Sequence, residues 1–423
     1  MGNGSCVGTV PIVALDVRTY EISDLYKACE AGDVEQARKL LVDMPFIVIN
    51  CSEPNGSTAL HAASSHGHSD VVHLLLQDYG VVRHRRNSEG LTAYQVAAND
   101  EIRQIFHRPK NNEKFGFSIQ GTVLSMFAIF FPASKRPPPP WIHTTSGWLK
   151  TRCLESQMKL NKTIQNNRLL DSLTKVNDRN LSGLFPIKRE AKTIKHMIDM
   201  FVKSTHTEYN HACECLTEFE GTEKVEPLLR LYSLETPFYS KVGGPDFCNI
   251  LLEPLVRNLD ALCDRHYQGT SYRGLTMTKE DLEDYEEALR QEKEENKESV
   301  IILASFASTT RDELLARGFA AAYTVEDKIT VLITCIFPKR CDTAIALYKV
   351  SESISCISHF EDEEEVLVYP GTMFRVTEID TTSDPSITQL HLTNVMPEYH
   401  PGAVLCKAAK KKAIKTFVPK ILQ

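Results

Sequence analysis

Two stretches of this chain repeat one another at a fixed distance. Asn55-Gly-Ser-Thr-Ala-Leu-His-Ala-Ala63 is echoed by Glu89-Gly-Leu-Thr-Ala-Tyr-Gln-Val-Ala97, so that Gly56 and Gly90 stand 34 positions apart. A repeat of that length is one helix–turn–helix unit that cannot bury its apolar face alone and must stack on neighbours. The intervening Ser65-His-Gly-His-Ser-Asp-Val-Val-His-Leu-Leu-Leu76 predicts the second helix of a unit, and Glu30-Ala-Gly-Asp-Val-Glu-Gln-Ala-Arg-Lys-Leu-Leu41 is the same element one repeat earlier, with Gly32 and Gly67 in register.

The Thr-Ala-Leu-His-Ala-Ala run at 58–63 resembles the ankyrin turn-and-helix signature, whose period is about 33 residues. Two to three repeats are expected over residues 20–108, an all-α module with degenerate, water-facing ends. His61, His66 and His68 invite a metal reading. A histidine at the place of His61 in an ankyrin repeat commonly satisfies hydrogen bonds of the turn, and that is the expectation here.

A chain of 423 residues exceeds one core, since cores stop growing near roughly 250–300 residues. The clearest break is Lys135-Arg-Pro-Pro-Pro-Pro140, which enforces extended geometry and reads as a stiff spacer. Residues 109–189 are assigned as connector, and Gly121–Phe131, too short for the roughly 20 residues of a membrane span, as a buried strand or hairpin. From 190 to 398 helical patterns come first. Apolar residues fall at 194, 197, 198, 201 and 202, a second helix runs from Phe247 to Leu259, and a third is capped by Thr278 with Asp281. Six short β-rich runs follow, at 299–304, 330–336, 344–350, 365–369, 373–379 and 388–392. Helices then strands predict an α+β domain.

Three segments of that domain carry chemistry in combination: Tyr272-Arg273-Gly274-Leu275, Ser305-Phe-Ala-Ser-Thr-Thr310, and the acidic run Glu361–Glu365 with the apolar strand after it. In order and setting they resemble the Arg, Ser-x-Ser, Glu-x-Glu triad of arginine-specific mono-ADP-ribosyltransferases, the R-S-ExE type. The poly-ADP-ribose branch would show a histidine in place of Arg273 and a tyrosine in place of Ser308. The resemblance implies the ADP-ribosyltransferase fold, a helical N-lobe plus a two-sheet β core forming an NAD cleft, and transfer of one ADP-ribose from NAD to protein arginines. By it Glu365 is the catalytic acid, and Glu363 faces the incoming guanidinium. Ser308 aims Glu365, and Arg273 grips the pyrophosphate or ribose. Tyr272 and Gly274 join Arg273, Ser308 and Glu365 in the NAD site, and Phe360, just before the acids, meets the target arginine with Glu363.

The residue types suit that reaction on their own terms. Breaking the nicotinamide–ribose bond creates an oxocarbenium-like centre, which a fixed carboxylate stabilises. Guanidinium, with a pKa above about 12, needs a carboxylate to orient it and accept its proton. On an extended chain residues i and i+2 project to one side, so two acids so spaced can reach one cleft. Of the frames Glu361/Glu363, Asp362/Glu364 and Glu363/Glu365 the last is preferred because the strand Val366-Leu-Val begins directly after it, as the resemblance implies. Thr310 departs from the serine of the family pattern.

NAD is the co-substrate and no metal is expected; His211-Ala-Cys-Glu-Cys215 and Cys263-Asp-Arg-His266 lack completing ligands and read as buried thiols. Two other functions compete with arginine transfer: NAD glycohydrolysis, with water as acceptor, and an inactive ankyrin adaptor. The expected partners are a target protein carrying the acceptor arginine and an ankyrin-binding protein. A net charge of −7 argues against a nucleic-acid partner. The scattered cysteines and the lack of a secretory leader point to a cytoplasmic protein. Met1-Gly2-Asn3-Gly4-Ser5-Cys6, at the head of a 1–19 leader, allows weak membrane association through Gly2 or Cys6 acylation, and residues 399–423 form a basic tail.

Overall fold

The chain divides into two compact units, residues 1–105 and 106–423. The computed structural model describes residues 22–108, 127–130, 187–242, 249–294, 300–303, 305–322 and 328–395. The leader, the proline run and the basic tail lie outside the described residues.

The first unit holds α1 (Asp24–Ala31), α2 (Val34–Leu41), α3 (Phe46–Ile49), α4 (Ala59–His66) and α5 (Ser69–His73); α6 (Asp100–Phe106) follows. Ser23 and Asp33 start α1 and α2 by accepting from the amides of Tyr26 and Gln36, donors a helix cannot satisfy internally. Both α1 and α4 stop on a glycine with left-handed backbone, Gly32 at φ 73° and Gly67 at φ 78°. Those matched stops explain why the two glycines recur. Helix α1 packs on α4 and α2 on α5, burying Leu25, Ala28 and Cys29 against Leu60 and Ala63, and Ala37 and Leu41 beside Val71 and Val72. His61 closes the turn as expected. Its Nδ1 accepts from the Thr58 amide at 3.2 Å, and its Nε2 reaches the Leu91 carbonyl at 3.0 Å, tying one repeat to the next.

The second unit runs β1 (Phe127–Phe130), α7 (Ile187–Phe201), α8 (Tyr209–Thr222), α9 (Glu226–Ser233), α10 (Pro237–Val242), α11 (Asn249–Arg257), β2 (His266–Met277), α12 (Lys279–Glu294), β3 (Val300–Leu303), β4 (Ala307–Thr310), α13 (Glu313–Ala322), β5 (Ile329–Ala346), β6 (Glu365–Val368), β7 (Met373–Asp380) and β8 (Thr388–Asn394). Hydrogen bonding follows the order β1-β3-β7-β8-β5-β2-β4-β6, with β6 also paired to the far end of β5. Every pairing is antiparallel except β5 with β8. Helix α12 starts as the sequence predicts: Asp281 accepts from the Thr278 amide and Thr278 from that of Asp281.

One expectation is revised. The runs at 330–336 and 344–350 are not separate strands, because β5 continues from 329 to 346. The exposed Pro338-Lys-Arg340 segment imitates a loop in sequence, yet the chain stays extended there while its register against β2 shifts between Tyr267 and Gly269. Residues 127–130 are a strand as expected, and they form an edge of the eight-stranded sheet by pairing with β3.

The sheet is covered by helices on separate faces. Ile194, Met197 and Ile198 of α7, Leu216 and Phe219 of α8, and Leu228, Leu229 and Tyr232 of α9 form one core with Phe306, Ile345, Leu367 and Tyr369. This core lies beneath β4 and β6, the two strands that carry Ser308 and Glu365. Elsewhere Gly274 of β2 lies under α13, so close that an added Cβ would collide with the Ala316 carbonyl and come within 2.6 Å of the Ala320 amide.

Candidate active site

Strands β4 and β6 run antiparallel, with Ser308 opposite Leu367 and Thr310 opposite Glu365. That register sets Ser308 beside the acid. Its hydroxyl donates to Glu365 Oε1 at 2.6 Å, and Ser358 donates to the other oxygen, Oε2, at 2.8 Å. Glu365 is 1 % exposed and both of its oxygens are therefore fixed by hydroxyls rather than by water. Such charge-assisted bonds are short and strong, and they fix the direction of the carboxylate. Ser358 escaped the sequence reading, since a serine seven residues before the acid carries no pattern of its own.

Glu363 is also buried, and its route to the site differs from the one expected. Residues Glu361–Glu363 form a single 3-10 turn and Glu364 takes a left-handed backbone, φ 41°. The two acids thus do not share one face of an extended strand; a tight turn delivers Glu363 and the first residue of β6 delivers Glu365. Thr310 stabilises that turn, because its hydroxyl donates to the Glu363 carbonyl at 2.6 Å. The departure from serine keeps a hydroxyl where it is used. The competing frame loses its second acid, for Glu364 is half-exposed and faces Arg311 at 3.5 Å.

Arg273 is buried and its Nη1 donates to the Ser308 carbonyl at 2.7 Å. Here it positions the serine strand. Its neighbours Tyr272 and Gly274 point to the opposite face, as alternation along a strand requires. Tyr272 packs beside Ala316, Ala320, Leu332 and Ile387, and the missing side chain of Gly274 admits α13. The structure therefore brings Ser308, Glu363 and Glu365 together, whereas Arg273 lies on the sheet face that Ser271 and Thr309 share, among Ala307, Ile333, Cys335 and Val368, and meets the site through the Ser308 carbonyl.

Phe360 is buried directly beside the acids, and a guanidinium rests on it: Arg108 Cζ lies 3.9 Å from the ring centroid. The same guanidinium grips Glu363 with two parallel bonds, Nε to Oε1 at 2.7 Å and Nη2 to Oε2 at 3.0 Å. Its Nη1 pairs with Glu235. Nearby His107 lies 3.8 Å from Asp362, and burial lowers its pKa against the pull of Glu363. Arg108 and Glu235 were invisible to motif reading, because they come from segments remote in sequence.

The loop carrying Phe360 is anchored by His359, whose amide donates to Ser233 Oγ at 2.8 Å. His359, His211 and Glu208 converge, with donor atoms all within 4.8 Å, and among the described residues they are the group that could hold a metal ion. Glu208 lies 3.2 Å from His211 Nδ1 and 3.4 Å from His359 Nε2. Burial works against charge in both partners. Even so, Cys215 and Glu208 hold the His211 pKa up to about 9, and His359 and His211 hold the Glu208 carboxyl well below the usual carboxylate range. The two cysteine fragments behave differently: Cys215 is buried and Cys213 half-buried, but Cys263, expected inside, is exposed. Tyr232 is buried near Glu365, and burial pushes its hydroxyl pKa well up. Among the described residues, no helix is long and apolar enough to cross a membrane.

Comparison with known proteins gives two findings. Residues 25–108 match ankyrin repeats in three copies, and this segment carries such repeats. The structure aligns with the Vis toxin, an ADP-ribosyltransferase of Vibrio splendidus, at 19% identity over 51% of this chain and 88% of that one, with a TM-score of 0.25. Exoenzyme S of Pseudomonas aeruginosa aligns at 15% identity over 48% and 89%, TM-score 0.29. The type III effector XopAI of Xanthomonas axonopodis pv. citri aligns at 14% over 49% and 88%, TM-score 0.33. No curated protein matches the chain by sequence at a significant level. The architecture is thus ankyrin repeats followed by a mixed helix and sheet domain. The superpositions are loose, and the functional reading rests on the geometry of the site.

Proposed function

We propose that the chain transfers a single ADP-ribose from NAD to arginine side chains of target proteins and releases nicotinamide, with the ankyrin repeats recruiting the target or a regulator. The observation that carries this reading is a pair of buried carboxylates in distinct settings: Glu365 locked by Ser308 and Ser358, and Glu363 gripping a guanidinium over Phe360.

Those settings match the two halves of the reaction. The bond between nicotinamide and the ribose carbon breaks, its electron pair leaving with nicotinamide, and positive charge develops on the ribose. Glu365, with both oxygens held, is pre-aimed to stabilise that charge without reorganising. Glu363 orients the acceptor guanidinium and takes the proton released as its nitrogen bonds to the ribose carbon. A donor-holding carboxylate beside a guanidinium seat suits NAD and an arginine as co-substrates, whereas water as acceptor would leave the grip of Glu363 without purpose. The cytoplasmic placement, a leader with Gly2 and Cys6 open to acylation and a domain spanning 190–398 belong to the same proposal.

The test is incubation of the full chain with labelled NAD and agmatine. Label on agmatine that is lost in Glu365→Gln and in Glu363→Gln is the expected result. Free ADP-ribose without labelled agmatine, persisting in Glu363→Gln, would show a glycohydrolase instead, and no consumption of NAD would leave the adaptor or an enzyme awaiting its activator.

A further inference from the structure

The seat on Glu363 is filled by the chain itself. Arg108 presents a planar fork to a planar carboxylate, stacks on an aromatic face, and meets a second carboxylate, Glu235, at its remaining nitrogen. Its side chain is 3 % exposed and that of Glu363 is 2 % exposed. Bidentate pairing fixes both the position and the plane of a guanidinium, and an aromatic ring beneath it adds a cation–π attraction. Each of these contacts is made by the guanidinium of Arg108, so a guanidinium on another flexible stem can make the same ones.

We propose that Glu235, Glu363 and Phe360 form the acceptor subsite, a seat for one guanidinium, and that Arg108 is its tethered resident, which an acceptor arginine must displace. The proposal rests on the arginine-transfer reading and adds to it a recognition residue, Glu235, and a built-in competitor. All three nitrogens of Arg108 are engaged by carboxylates, which leaves none of them turned toward a ribose carbon. Arg108 therefore blocks and is not itself modified.

Tethering makes the block effective. A linked group competes at an effective concentration on the order of millimolar, with no encounter cost. An acceptor binds only the fraction of molecules whose seat is open, so its apparent affinity falls by that fraction. If Arg108 fills the seat about nine-tenths of the time, removing it lowers the acceptor KM about tenfold. NAD cleavage at Glu365 does not use the seat, and its rate without acceptor is unaffected.

The experiment compares the full-length wild type with Arg108→Ala and Arg108→Lys, the latter keeping a positive charge between the two acids should alanine destabilise the fold. Two readouts are taken: the agmatine KM against kcat for labelled transfer, and the rise in Tm on adding agmatine without NAD. The expected result is a KM about tenfold lower in Arg108→Ala with kcat and acceptor-free NAD cleavage unchanged, and a Tm rise larger in both variants than in wild type. Adding Glu235→Gln to Arg108→Lys should reverse the gain in KM. Equal KM and equal Tm response in all three proteins overturns the proposal while leaving arginine transfer intact. A larger Tm response in the variants, with no transfer in any protein, keeps the guanidinium seat and overturns the transfer reading instead. ADP-ribose found on the Arg108 peptide of wild type by mass spectrometry overturns the blocking role.

Discussion

Ser358→Ala tests how Glu365, the acid proposed to act in catalysis, is aimed. The two oxygens of Glu365 are held separately, Oε1 by Ser308 at 2.6 Å and Oε2 by Ser358 at 2.8 Å. Removing one hydroxyl leaves a fully buried carboxylate oxygen with a lost donor and no room for the side chain to seek water. A hydrogen bond to a charged group contributes about 1.5–3 kcal/mol, and about 1.4 kcal/mol is a factor of ten in rate. Loss of one donor in the step that develops charge therefore slows NAD cleavage by roughly tenfold to a hundredfold. The agmatine KM should change less than kcat, because Ser358 meets the seat only where its hydroxyl accepts from the Phe360 amide at 3.3 Å, and KM changes only where binding to ground state is lost. The assay is steady-state release of nicotinamide by Ser358→Ala, Ser308→Ala and the double variant. Because both hydroxyls act on one carboxylate, the double variant should depart from the sum of the singles, as neighbours in one network do. A Ser358→Ala enzyme with wild-type kcat beside an impaired Ser308→Ala enzyme would refute the two-point grip and leave Ser358 a structural residue of the loop.

Two further predictions concern stability. Gly274→Ala forces a methyl into the Ala316 carbonyl and the Ala320 backbone of α13, and overpacking of this kind costs about 1–3 kcal/mol; urea midpoints should fall accordingly, and an unchanged midpoint would mean that α13 does not seat on β2. The Glu208–His211 pair makes stability depend on pH. His211 rises from about 6.5 unfolded to about 9 folded, so its contribution is complete below pH 6.5 and is lost as pH climbs to about 9. Glu208 works on the other limb, its contribution present above its ordinary carboxylate pKa and lost on acidification. Stability to urea in metal-free buffer should fall from about pH 6.5 to about 9.5 more in the wild type than in His211→Ala, and a wild-type profile as flat as that of the variant would refute the charged pair.

Sequence alone fixed a great deal where local spacing carries the information. The 34-residue repeat, with its matched glycine stops, specified stacked helix pairs, because a left-handed C-cap and a turn histidine are local requirements. The apolar spacing of α7 and the Thr278/Asp281 cap were equally legible. So were Ser308 and Glu365, whose meeting follows once their strands are paired in register. Spacing misled where an exposed proline segment interrupts a strand without ending it, and where the acids were placed on an extended chain although Glu364 turns left-handed between them.

Only the tertiary structure decided what surrounds the acids. Arg108 is 255 residues from Glu363, and Glu235 arrives from the end of α9. Ser358 joins Glu365 through a loop folded back on β6. A single sequence records which groups are available, and their chemistry sets the class of reaction they can serve. Which of them meet is a matter of chain crossings and burial, and a charged group moved from water into a closed pocket takes its partner from whatever the fold has brought within 3 Å.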